Sequence, residues 1–325
     1  MSVSYDSIFL SNNGTNIFTT LGFLKRIEKM CDRTKYWNVS GCASLIIFLK
    51  LIGHNYTQIL KILTDFPLIS TFVNGSSLIP ENEDEKKEYI RKWLTSHLEG
   101  SDFFSPGIRL EEISKETNLF PNFILYSRGD HKIVMVNPEN SPKTKLIDCV
   151  MASLCYVGVF EEYSFGTKLY SNLSSVDCFP CFYIFRDIPS LSLHGRKEGE
   201  KGEKGEKGGK GEERKDSVGK CLIIGNIGKY EDSGKAHQLG PLSKIEGKII
   251  RQYSEHEKYK IDNIFSNFDT EEAVKVHSFY RRGRLGEEEI RTLFELGSEQ
   301  GSSFVEKKDT EEGRKHFIDE VESQN

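Results

Sequence analysis

No stretch of this 325-residue chain is apolar for long enough to span a bilayer. The opening residues, Met1 to Asp6, carry neither a basic n-region nor an apolar h-region, so no secretory signal is expected. Basic residues are in deficit: the net charge is -5 and the pI is near 6.0. That balance argues against a nucleic-acid binder, which would carry a basic surplus. The seven cysteines are scattered, and only Cys178 and Cys181 form a CxxC. Without a second pair at ligand spacing, no structural zinc is expected, and no organic cofactor motif is present. The expectation is a cytoplasmic protein with buried, reduced thiols, in which sequons such as Asn55-Tyr56-Thr57 carry no weight.

What is present reads as an α/β chain. Residues 6–10 form a short apolar strand, 12–16 a glycine-containing turn, and 17–31 a helix with Leu21, Leu24 and Ile27 on one side. A second strand-turn-helix follows at 36–53. Two such units in succession predict a mostly parallel sheet with helices on both faces, a three-layer sandwich. Further on, 57–63, 110–117 and 146–154 read as helices, and 81–99 as a charged helix or hairpin arm. Residues 123–126 and 132–136 read as paired strands around Arg128-Gly129-Asp130, which is taken as turn chemistry. Strands are predicted at 181–185 and 220–225, then a helix over 287–298 and a shorter one near Ser303.

Residues 195–219 stand apart. Glycine recurs every third position among lysines and glutamates, but the run lacks proline and is too short for a collagen triple helix. It reads as a flexible, solvated insertion. The predicted organisation is a core over 1–194, the insertion over 195–219, the rest of the domain over 220–306, and a charged, disordered tail over 307–325.

The second strand-turn-helix has the layout of a nucleophile elbow, in which a serine sits on a sharp turn above a sheet. The elbow pattern is Gly-x-Ser-x-Gly, and the chain contains none. Ser40 is flanked two residues away by Asn38 and Cys42, and Ser44 by Cys42 and Ile46. Neither has the glycine flanks that a strained turn requires.

Over residues 5–180 the order of features resembles the patatin-like phospholipases, α/β acyl hydrolases with a Ser-Asp dyad. Leu10-Ser11-Asn12-Asn13-Gly14-Thr15-Asn16-Ile17 resembles the family's glycine-rich oxyanion loop. Residues 36–53 resemble its nucleophile helix, 109–117 the helix before the central strand, and 147–154 its Ala-Ser helix. Residues 170–180 fall where the family carries Asp-Gly-Gly. Leu293-Phe294-Glu295-Leu296-Gly297 is similar to its closing helix. Each chemical position departs from the pattern. Asn12 and Asn13 stand where glycines would be, with only Gly14 kept. Counting back from Gly53 places Gly41 at the nucleophile position, and Asn172 replaces the aspartate. An amide has no basic form near neutral pH with which to take a serine's proton.

The resemblance therefore implies a catalytically inactive member of the family, with no competent catalytic residue, that binds a lipid, an anionic membrane surface or a protein. The alternative is an active phospholipid acyl hydrolase with an atypical nucleophile. For that role Cys42 is the candidate, with Ser40 a weaker one, because a thiol at a helix N-terminus can be activated. Neither His54 nor His131 has a placement that would make it the partner base. A third expectation concerns Tyr280-Arg281-Arg282-Gly283-Arg284, a compact basic cluster suited to anionic headgroups.

Overall fold

The computed structural model describes residues 4–12, 17–66, 80, 82–101, 104–155, 161–171, 221–225, 261–265 and 286–323. The chain begins with β1 (Ser7–Asn12), α1 (Ile17–Arg26), the single turn α2 (Glu28–Cys31) and β2 (Tyr36–Gly41). It continues through α3 (Ala43–Leu51), α4 (Tyr56–Thr64), α5 (Glu83–Glu99) and α6 (Leu110–Thr117). Next come β3 (Phe120–Ser127), β4 (Lys132–Val136), α7 (Leu146–Ser153), and the hairpin β5 (Glu162–Phe165) and β6 (Lys168–Ser171). The last described elements are β7 (Cys221–Gly225), β8 (Ile261–Phe265) and α8 (Glu287–Ser323).

All eight strands form one sheet. β1 lies between β2 and β7, and the parallel set runs β3, β2, β1, β7, β8. β4, β5 and β6 add antiparallel pairs at the β3 end. Consecutive residues of the central strands are buried, so both faces are covered. In β1, Ile8, Phe9 and Leu10 are fully enclosed, and in β2 so are Trp37, Asn38 and Val39. A parallel sheet buried on both faces is the middle of three layers, which is the expected architecture.

Local signals set several boundaries. Asn55 caps α4 with a reciprocal capping box to Gln58, so the helix starts one residue ahead of the predicted Thr57. Asn82 accepts hydrogen bonds from the Asp84 and Glu85 amides, and three acidic residues follow in the first turn of α5. The 81–99 stretch is therefore a helix and not a hairpin. The helix predicted over 17–31 divides at Ile27.

The largest difference from expectation is α8. The sequence predicts two short helices and a disordered tail, whereas the structure has one helix reaching Ser323. Gly297 and Gly301 lie within this helix and are points of close approach to α1. A β-carbon on Gly297 would overlap the Thr19 carbonyl oxygen and lie 2.8 Å from its carbon. One on Gly22 would overlap the Phe294 carbonyl oxygen, and one on Gly301 would sit 2.7 Å from the Arg26 Cβ. The two backbones therefore touch, and Ile290, Leu293 and Phe294 are buried there. With its first half nucleated in this way, extension through helix-forming Glu, Lys and Arg costs little. The β5–β6 hairpin and β8 were not predicted. The 181–185 stretch, the 195–219 insertion and the basic cluster at 280–284 lie outside the described residues.

Candidate functional site

The elbow is built as its sequence suggests. β2 runs buried to Gly41, which has φ +60°, the left-handed region that favours glycine. Cys42 then turns into α3, whose entire length to Leu49 is buried. No side chain caps the α3 N-terminus. Ser44, at the second helical position, is fully buried and its hydroxyl has no hydrogen-bond partner. Ser40 is 4% exposed. Because side chains alternate along a strand, it shares the face of Asn38. Cys42 is partly exposed. Cys31, Cys149 and Cys155 are buried, and burial pushes all three thiols up, Cys31 and Cys155 to about 12.

Strand pairing brings three chain ends to the same edge. Asn12 ends β1 directly opposite Gly41. Phe123 of β3 pairs with both Val39 of β2 and Val136 of β4, so β2 and β4 flank β3 on opposite sides. Tyr126 and Ser127 pair with both β4 and β6, which puts β6 on the β2 side. β2 runs parallel to β3 and β6 antiparallel, so their C-terminal ends point at each other. The gap between the Phe123 and Tyr126 pairs is three residues of β3, about 10 Å. Val39 and Ser171 mark the two ends of that interval, and β2 continues two residues beyond Val39 to Gly41, toward Ser171. Asn172 follows Ser171 in sequence, and it, Asn13 and Gly14 lie outside the described residues.

Beneath the elbow runs a polar ladder that the sequence reading did not find. Asn38 Nδ2 donates to Ser7 Oγ at 2.8 Å and to the Ile8 carbonyl at 3.1 Å. Asn122 Nδ2 donates to Asn38 Oδ1 at 2.9 Å, and all three residues are fully buried. The ladder crosses β1, β2 and β3, and Asn122 Oδ1 is left without a partner. Two asparagines inside otherwise apolar strands were the available signal.

Two other charge arrangements are structural. Asp148 of α7 accepts from Arg91 Nη2 of α5 and from the Tyr163 hydroxyl of β5, each at 2.7 Å. Arg91 also bonds Tyr163 directly. Burial outweighs Arg91 and raises the Asp148 carboxyl above its usual range. At the β3–β4 turn, Arg128 pairs with Glu162, and Asp130 pairs with Lys168 at 3.1 Å. Ser127 Oγ donates to Asp130, and this bond and the lysine lower the Asp130 carboxyl. The Arg-Gly-Asp motif is thus engaged with the β5–β6 hairpin.

The fold is patatin-like: a mixed α/β structure around a central sheet that is mostly parallel among its first strands. VipD from Legionella pneumophila superposes on the chain with a TM-score of 0.52 at 7% identity, over 94% of this chain and 67% of VipD. The type III effector ExoU gives 0.41 at 12% identity, over 94% of this chain and 54% of ExoU. ExoU of Pseudomonas aeruginosa in its heterodimeric complex with SpcU gives 0.42 at 14% identity, over 94% and 52%. The chain thus spans about half the length of ExoU. No family model and no curated protein matches the sequence. No helix among the described residues is long and apolar enough to cross a membrane.

Proposed function

We propose that this chain is a patatin-type domain whose elbow binds and does not cut. The observation that carries the reading is Gly41. The residue at the strand-to-helix turn with left-handed backbone has no side chain, so nothing at the apex can attack a carbonyl. Asn172 then occupies the acid-base position with an amide. Ser40, buried on the Asn38 face, is poorly placed to replace a nucleophile. In this reading the partner is a lipid, an anionic membrane surface or a protein.

The second reading, a cysteine-dependent acyl hydrolase, is favoured by the position of Cys42. It is partly exposed at the start of a helix without a side-chain cap. The two readings separate in a turnover assay with short-chain esters and phospholipid vesicles. Binding predicts no turnover above the buffer rate. Turnover that is lost in Cys42→Ala overturns it.

A further inference from the structure

The far end of the elbow helix is held to α5 by a cluster of rings. Trp93 of α5 packs edge-on against Phe66, two residues beyond α4, with ring centroids 4.6 Å apart. On its other side Trp93 meets His97, one turn further along α5, at 4.3 Å. His54, in the turn between α3 and α4, stands perpendicular to His97 at 6.4 Å. Gly53 makes that turn possible with φ +96°, and the His54 amide closes α3 on the Leu49 carbonyl. The ends of α3, α4 and α5 therefore converge on two imidazoles and two aromatic rings.

We propose that this joint is an acid-sensitive latch: it packs while both imidazoles are neutral and loosens when both carry a proton 6.4 Å apart. Burial is the main force disfavouring the charged form of each ring, and for His97 the neighbouring His54 adds to it. No carboxylate contributes to either titration. The other charged groups on these elements are Lys50 of α3, Lys61 and Asp65 at the end of α4, and on α5 Lys92 and Glu99 with Arg91 and the Glu83–Glu88 run further from the joint. Of these, Lys50 is turned over the rings of Trp37 and Tyr56. Both histidines are thus held below their ordinary value of 6.5. A folded-state value below the unfolded one means that the contribution to stability is present above pH 6.5. It is lost as pH falls through the folded values. The latch sits at the opposite end of α3 from Gly41 and does not depend on what the elbow binds.

The test uses the full chain. Each histidine is titrated by NMR between pH 7.5 and 5, with Trp93 fluorescence as a second reporter. Amide exchange over 49–56 and 93–100 is followed at pH 7 and pH 5, corrected for the intrinsic rate. Both midpoints are expected below 6.5, and His54→Gln should raise the His97 midpoint. Protection of these amides should fall severalfold on acidification. It should stay constant in the His54→Gln, His97→Gln double variant. If that variant fails to fold at pH 7, His97→Asn alone must abolish the His54-dependent part of the loss. Midpoints at or above 6.5, or the same acid loss without the histidines, overturn the latch.

Discussion

Gly297→Ala is a stringent check on the α1–α8 contact, because local and tertiary physics predict opposite signs. In an exposed helix the change would stabilise by about 1 kcal/mol, since glycine is the poorer helix former. Here the new methyl would overlap the Thr19 carbonyl oxygen and stand 2.8 Å from its carbon and 3.0 Å from the Phe23 nitrogen. All three are backbone atoms and cannot rotate away. Optimal carbon contacts are about 3.5–4.0 Å, so the helices must part by roughly 1 Å. That movement opens the packing around Ile290, Leu293 and Phe294, at a cost of about 3 kcal/mol by analogy with overpacked cores. The net loss is about 2 kcal/mol. At Gly301 the closest neighbour is the Arg26 Cβ at 2.7 Å, which is fixed to its backbone, with the Phe23 carbonyl oxygen at 3.2 Å, so Gly301→Ala should also destabilise, but by less, about 1 kcal/mol. Urea unfolding followed by circular dichroism reads both as shifts in midpoint at constant slope. A Gly297→Ala protein as stable as the parent, or a Gly301→Ala protein that loses more, would refute the close approach.

Asn38→Leu should cost about 2–4 kcal/mol in the same assay, because it strips the partners from Ser7 and Asn122 in a fully buried layer. Arg91→Gln should destabilise at pH 7 by about 1–2 kcal/mol, leaving the Asp148 carboxylate half-buried and unmatched. That loss should shrink as acid neutralises Asp148, so the gap between variant and parent narrows toward pH 4. A gap that widens on acidification would assign the effect to lost packing.

Much of the fold was legible because its segments are locally unambiguous. β1 and β2 are short apolar runs, and α3 is apolar throughout, which marks a buried helix after a buried strand. The paired strands around Arg128-Gly129-Asp130 are short apolar runs split by a clear turn. What escaped was decided by distant contacts. The role of Gly297 and Gly301 is visible only once α1 is placed against them. Arg91 and Asp148 are 57 residues apart, and neither sequence neighbourhood announces the other. β5 and β6 are four residues each, too short for periodicity to speak. β8 includes Asp262 and Asn263, weak strand formers that pair only because β7 offers an edge. At the elbow, the strand-turn-helix was readable from residues 36–53, whereas the head-on approach of β2 and β6 was not. It follows from β3 pairing with three partners, a fact of register.

The central claim is that the elbow holds no activated nucleophile. The most direct measurement treats the folded protein with a fluorophosphonate probe and, in parallel, a thiol-directed acyl probe, and locates any adduct by intact mass and peptide mapping. The account predicts no labelling beyond that of the unfolded control. Selective labelling at Ser40 or Cys42 in the folded protein would contradict it and make the elbow a reaction centre.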